Sequence, residues 1–311
     1  MGNVTLPKII EGLESGDRRL LAKAISIVEN QTKGREELLE YSYTHMKKTK
    51  LILGITGAGG SGKSTLIDKM INVFRAEGQA VGVIAVDPSS PYTGGAVLGD
   101  RVRMASHNTD AGVFIRSLGS RGAFGGISQG TKDVLYLYKS FGFDAILVES
   151  LGVGQAETEI TNFVDITAVL LVPGYGDAIQ MAKAGIQEIA DIFIINKSDR
   201  PEAELLYQQL LATFDSLPPD KQPLVVKTVA SENIGITELF GAIKTAEKRQ
   251  APNKDLKLKA RVECEIASRV RSHFDSKLSV QVTRMMIPVL KGELTPFQAA
   301  DQISSKISIK E

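Results

Sequence analysis

Gly57-Ala58-Gly59-Gly60-Ser61-Gly62-Lys63-Ser64-Thr65 satisfies the pattern G-x-x-x-x-G-K-S/T in full. It lies between a strand-like run, Leu51 to Thr56, and a helix-like run, Leu66 to Phe74, which is the setting the pattern requires. Glycine at this density lets backbone N–H groups curve around phosphate oxygens where a β-carbon would intrude. The helix that follows turns its positive dipole end toward the same anion. On this reading Gly57 to Thr65 cradle the phosphates of a nucleotide, Lys63 reaches the β- and γ-phosphates, and the Ser64 hydroxyl is a Mg²⁺ ligand.

Outward from this loop, short β-rich runs alternate with helical stretches. The strand candidates are Leu51–Thr56, Ala80–Val86, Val113–Arg116, Asp144–Glu149, Thr167–Val172, Ile192–Asn196 and Leu224–Thr228. Most are continuously apolar, as strands buried on both faces of a parallel sheet are. The alternation predicts an α/β fold of the P-loop NTPase kind, a doubly wound, mostly parallel sheet with ligands at the carboxyl ends of its strands. Residues 1–48 read as an N-terminal helical extension: Thr5 and Pro7 suit a helix start, Ser15-Gly16-Asp17 breaks and recaps, and Leu20, Leu21, Ala24, Ile25 and Val28 recur at helical spacing. The main domain is expected over 49–250.

Beyond Pro252, residues 251–311 read as a helical arm. Leu258, Val262, Ile266, Val270 and Phe274 form a stripe at four-residue spacing, a second helix is expected from about Val280 to Lys291, and Thr295-Pro296-Phe297-Gln298 opens a third with a capping box. The stripe can pack on its own domain or on a second subunit.

Composition narrows the classes. Of 311 residues, 43% are hydrophobic and 23% charged, which is ordinary for a globular protein with a sizeable core. A net charge of +1 supplies no basic field for nucleic acid or anionic membrane. Cys264 is the single cysteine, so the chain holds no internal disulfide and no Cys-rich metal cluster, and His45, His107 and His273 show no ligand spacing. No apolar run approaches a membrane span and the first residues lack the order of a secretory signal, so the chain is expected to be soluble and cytoplasmic.

Asn196-Lys197-Ser198-Asp199 ends an apolar run, as a guanine-reading N-K-x-D does. The Asp199 carboxylate would accept hydrogen bonds from guanine N1–H and the exocyclic amine, a donor pair adenine lacks. Asn196 and Lys197 support the loop and cover the base, and Val229-Ala230-Ser231 fits the backbone loop that flanks it. Glu149-Ser150-Leu151-Gly152 occupies the place of D-x-x-G: the acid supports Mg²⁺ and the glycine N–H senses the γ-phosphate. Gln155 and Glu157 follow closely enough to place water. Asp87, at a strand end, and Asp100 are candidate metal-side carboxylates; Mg²⁺ takes few carboxylates, so one of Asp87, Asp100 and Glu149 can act through water alone. Arg116 to Gly126 is glycine-rich and reads equally as a switch or a plain loop. Gly174-Tyr175-Gly176-Asp177, with Gln180 and Lys183, is a further candidate mobile segment.

Taken together, these motifs resemble the MeaB/ArgK family of P-loop GTPases, the methylmalonyl-CoA mutase-associated GTPases. The resemblance covers most of the chain: Gly12 to Arg19, the phosphate loop, the D-P-S-S-P-x-T-G-G loop through Leu98-Gly99-Asp100-Arg101, Arg121-Gly122 with Gly125-Gly126, Glu149 to Gln155, Pro173 to Gly185, and Glu188-Ile189-Ala190-Asp191 leading into N-K-x-D. It implies a G-protein chaperone that uses GTP and Mg²⁺ to gate cofactor loading, protection or reactivation of an adenosylcobalamin-dependent acyl-CoA mutase. It also implies a homodimer joined through the C-terminal helices, and a switch in which Asp177 and Lys183 assist hydrolysis. This chain departs from the family pattern at Gly59, where Pro is common, at Ala96, Val102 and Ala178, and at Ser198, where Ala is usual. Two other classes fit less well. A GTPase metallochaperone for nickel enzymes would carry a His- or Cys-rich site. A P-loop kinase, or an ATPase serving amino-acid transport, would lack the guanine motif.

Overall fold

The computed structural model describes residues 4–87, 104–120, 128–152, 160–174, 189–219 and 221–306. The chain divides into two compact units at Asn253/Lys254. In the first unit, helices α1 (Leu6–Ser15), α2 (Arg18–Glu29) and α3 (Arg35–Thr44) come first. Asp17 caps α2, accepting from the backbone N–H of Arg19 at 2.8 Å and of Leu20 at 3.2 Å. Then β1 (Leu51–Gly57), α4 (Lys63–Ala76), β2 (Val81–Asp87), β3 (Val113–Gly119), α5 (Gln129–Phe141), β4 (Ala145–Glu149), β5 (Ile166–Leu171), β6 (Ile192–Asn196), α6 (Ala203–Phe214), β7 (Leu224–Thr228) and α7 (Ile236–Gln250) follow.

The described strands form one seven-stranded sheet in the order β3-β2-β4-β1-β5-β6-β7. Every neighbouring pair is parallel. The apolar runs explain this: β1 and β2 are buried at every position, which a strand covered on both faces requires, whereas edge strand β7 is largely half-buried. β3 runs past Arg116 to Gly119 because its partner β2 carries the ladder on through Val86 and Asp87.

One face packs against α4 and α7 through Leu66, Ile67, Met70, Phe74, Leu239 and Ile243. The other is covered by α5, whose Val134, Leu137 and Tyr138 are in turn buried under Ile9, Leu21, Ile25 and Leu38 of the first three helices. Fully burying a side chain of this size contributes roughly 1.5–3 kcal/mol, so α1 to α3 belong to the same core as the sheet. Arg35 of α3 also pairs with fully buried Asp133 of α5, and Arg116 of β3 pairs with Glu29 of α2 at 3.0 Å. On the far side of β5 and β6, Leu206, Leu210 and Phe214 of α6 form a smaller cluster with Val169, Phe193 and Ile195.

The second unit comprises helices α8 (Lys254–Leu290) and α9 (Pro296–Lys306). α8 is one continuous helix of 37 residues rather than the two helices expected from the sequence. Asp275 to Ser279 contain neither glycine nor proline, so nothing there stops helix propagation. The capping box forms as expected: Thr295 N donates to Gln298 Oε1 at 2.9 Å, and Gln298 N donates to Thr295 Oγ1 at 3.2 Å. Leu258, Val262, Ile266 and Val270 are exposed.

At the amino-terminal side of the sheet, three aspartates tie one strand to the start of the next. Ala80 N donates to Asp144 at 2.9 Å, Ile52 N to Asp165 at 2.9 Å, and Thr167 N to Asp191 at 2.8 Å. The Ala80 N–H, and beyond it the Lys50 ammonium at 3.1 Å, hold the Asp144 carboxyl below the ordinary carboxylate range. A depressed folded-state pKa stabilises the fold above the unfolded value of about 3.9 and ceases to do so as pH falls through the folded value. Asp144→Ala is therefore expected to lose about 1 kcal/mol near neutrality and to converge on the parent chain in acid, below about pH 3.9. Urea unfolding at a series of pH values checks this, and a penalty unchanged into strong acid would refute it.

Candidate functional site

Because all seven strands run the same way, their carboxyl ends share one edge, and the motif residues that are described gather there. β1 ends at Gly57 and α4 begins at Lys63. Between them Ser61 N donates to Ala58 O at 3.2 Å, and Leu66 N donates to Gly62 O at 2.9 Å to open the helix. Gly62 has φ +99°, and a β-carbon there would run into the Asn196 side-chain amide, so glycine is required on both counts. Lys63 is buried, with its ammonium donating to Gly57 O at 2.8 Å and Ala58 O at 3.2 Å. Its charge thus lies over the loop that the first turn of α4 faces. Ser61 Oγ is buried with no hydrogen-bond partner among the described residues, while Gly59 and Gly60 are exposed.

The acidic side of the site comes from β4 and β2. Glu149 pairs in register with Ile55 of β1 and Ala85 of β2, in the centre of the sheet. Its carboxylate accepts from Ser64 Oγ at 3.0 Å. Asp87 lies two positions beyond Ala85, and its carbonyl accepts from Ser120 N at 2.9 Å. Glu149, Asp87, Ser64 and Lys63 are each at most 8% exposed, which sets carboxylates and a cation in a poorly hydrated place where charge interactions gain strength. Gly152, with φ +71°, lies against the phosphate loop; a β-carbon on it would collide with the Gly57 carbonyl oxygen. Asp100, Gln155, Asp177 and Lys183 lie outside the described residues.

The third component is organised by Asn196. Its Nδ2 donates to Ser61 O at 2.8 Å, while its Oδ1 accepts from Thr228 Oγ1 and Ala230 N, both at 3.1 Å. A single buried amide thus joins the end of β6 to the phosphate loop and to the loop after β7. Lys197 takes a left-handed backbone conformation, φ +58°, and its ammonium donates to Gly60 O at 3.0 Å. Ser198 N donates to Thr228 O at 3.0 Å. Val229 and Ala230 are buried, whereas Asp199 and Ser231 are exposed to solvent at the rim. Thr228 is a buried member of this network that motif reading passes over, and Thr56 and Ser150 form a separate buried hydroxyl pair between β1 and the residue after β4.

Removing the Asn196 amide leaves three buried groups without their partner. Asn196→Ala is expected to cost roughly 2 kcal/mol, read as a shift in the urea midpoint, and to weaken guanine-nucleotide binding in a titration with GDP. Unchanged stability would show that Asn196 is not a hub.

Residues 21–283 match the family model described as methylmalonyl Co-A mutase-associated GTPase MeaB. A Pyrococcus abyssi protein whose name marks it as a candidate GTPase is 42% identical over 317 residues, 97% of each chain. The GTPase ArgK of Escherichia coli is 37% identical over 253 residues, covering 78% of this chain and 76% of that one. The Mus musculus methylmalonic aciduria type A homolog, a mitochondrial protein, is 31% identical over 94% of this chain and 77% of its own length. Among solved structures, a LAO/AO transport system kinase superposes with a TM-score of 0.69 at 26% identity and covers 99% of both chains. With the loop geometry and these relatives together, the chain belongs to the MeaB family of methylmalonyl-CoA mutase-associated GTPases and is a GTPase.

Proposed function

We propose that this chain hydrolyses GTP to GDP and phosphate with Mg²⁺ at the edge described above. In this reading it uses that cycle as a chaperone that gates cofactor loading, protection or reactivation of an adenosylcobalamin-dependent acyl-CoA mutase such as methylmalonyl-CoA mutase. The observation that carries the nucleotide reading is the meeting of Lys63, the Ser64–Glu149 pair and the Asn196 hub around one glycine-rich loop. The mutase is supported by the family's description and by the name of the mouse relative.

The residues present suit a hard divalent cation: the Ser64 hydroxyl in the first turn of α4 and the Glu149 and Asp87 carboxylates at neighbouring strand ends are buried oxygen donors. These, with Asp100, would hold Mg²⁺, which when bound neutralises charge on the phosphates. Backbone N–H groups of Gly57 to Thr65 hold the phosphate chain. The Lys63 ammonium already rests on two carbonyl oxygens and exchanges them for β- and γ-phosphate oxygens. Water attacks the γ-phosphorus in line. The new P–O bond forms as the bond to the bridging oxygen breaks, and its electron pair leaves with GDP. Gly152 senses the γ-phosphate, and Gln155, Asp177 and Lys183 are the candidates for assisting the water. Asp199 reads the guanine edge, with Asn196, Lys197, Val229, Ala230 and Ser231 shaping the pocket around the base. The exposed stripe Leu258, Val262, Ile266 and Val270 suits a homodimer joined through the C-terminal helices. We place the protein in the cytoplasm, with no role for nucleic acid or membrane; no helix among the described residues is long and apolar enough to cross a membrane.

The deciding assay is hydrolysis of GTP and ATP in parallel, with and without an adenosylcobalamin-dependent mutase. GTP-selective turnover that rises with the mutase is expected; preference for ATP would move the reading to a transport-linked kinase or ATPase. Lys63→Ala is expected to lower turnover by on the order of 10²-fold or more. Asp199→Asn should shift preference from GTP toward xanthosine triphosphate, and an unaltered preference would remove Asp199 from base recognition. Light scattering is expected to find a dimer that Ile266→Glu dissociates; a monomeric parent chain would exclude the proposed interface.

A further inference from the structure

β1 and β4 stop pairing just where the site begins. Their last ladder pair is Ile55 with Glu149, while β1 goes on alongside β5 to pair Gly57 with Leu170. Beyond that pair the chain after Glu149 still follows β1 and runs to Gly152, which lies against the Gly57 carbonyl. Two contacts hold this segment to β1. Ser150 N donates to Ile55 O at 3.0 Å, and Ser150 Oγ donates to Thr56 Oγ1 at 2.7 Å. Thr56 is fully buried and Ser150 is 1% exposed. A hydroxyl pair at this depth has no water to turn to, so each depends on the other for its hydrogen bond.

The position of this pair gives it leverage. Thr56 precedes Gly57, whose carbonyl also receives the Lys63 ammonium. Ser150 follows Glu149, whose carboxylate receives the Ser64 hydroxyl. One short bond thus spans the residue before the phosphate loop and the residue after the acid. We propose that the Thr56–Ser150 hydroxyl pair is a positioning element for hydrolysis. It sets the separation between the phosphate loop and the Glu149–Gly152 segment, so that the Ser64–Glu149 contact and the seat of Gly152 on Gly57 are kept together. The pair touches neither nucleotide nor water; it acts through the groups on either side. This rests on the reading of Ser64 and Glu149 as the metal side of the GTP site.

Such a role separates turnover from binding. The phosphate loop, the Asn196 hub and the Asp199 rim do not depend on the hydroxyl pair, so nucleotide affinity should survive its loss. Misplacing reacting groups by a fraction of an ångström is costly in rate. Ser150→Ala and Thr56→Val are each expected to lower kcat on the order of tenfold, with KM for GTP and affinity for GDP changed by less than about threefold. The double variant should be no slower than the slower single one, because both substitutions remove the same bond. Ser150→Thr, which restores the hydroxyl, should recover most of the turnover. GDP titration counts the competent sites, so kcat is taken per folded site and partial unfolding is not mistaken for the effect. Unchanged kcat in both single variants, additive losses in the double variant, or equal losses in kcat and GDP affinity would each overturn the inference. If the parent chain hydrolyses GTP and Lys63→Ala abolishes this while Ser150→Ala does not slow it, only the positioning role falls. If the parent chain does not hydrolyse GTP, both readings fall together.

Discussion

Parallel pairing is the constraint on which the rest of this molecule depends. A strand can join a parallel neighbour only through a crossover, so each strand end becomes a loop of some length on the same edge. The order β3-β2-β4-β1-β5-β6-β7 places β1 in the middle of that edge. The crossovers put helices on both faces, and the strands between them must then be apolar throughout. Apart from Arg116 and Ser117 of edge strand β3, the polar residues that remain lie at or beside strand ends. At the amino ends they are aspartates that close unpaired N–H groups; at the carboxyl ends they are Glu149, Asp87, Asn196 and Thr228, free of the need to fill the core.

The site is correspondingly a set of ties between neighbouring loops rather than a pocket carved into one element. Asn196 links the phosphate loop to the loop after β7, Lys197 adds a second link at Gly60, and Ser64 reaches across to Glu149. Each tie satisfies a buried polar group that would otherwise cost free energy. The network is therefore strongest when every loop is in place, a condition that favours a rigid base end.

Much of this was legible in the sequence for reasons that are local. The phosphate loop announces itself through Gly57 to Thr65, and the strands through apolar runs too short for helices bounded by Gly, Pro, Asp or Asn. Ser15-Gly16-Asp17 and Thr295 to Gln298 carry their own capping chemistry. What escaped depends on contacts remote in sequence. That Asn196 is a hub follows from its distance to Ser61 and Ala230, which no spacing rule reveals. The pairing of Thr56 with Ser150, 94 residues apart, is equally invisible until β1 and β4 are neighbours. The stripe that ends at Phe274 and the run from Val280 read as two helices, yet neither glycine nor proline lies between them and α8 runs through.

The dependence of the first three helices on α5 bears on how the chain is made. Arg35 and Asp133 are separated by 98 positions, and Leu21, Ile25 and Leu38 find Val134 and Leu137 only when that stretch exists. During synthesis at roughly 5–20 residues per second, the amino-terminal helices leave the ribosome about 5–20 seconds before their buried face has anything to cover. For that interval they present an apolar surface to solvent, and the nascent chain is at its stickiest before its nucleotide loop has a finished sheet to stand on.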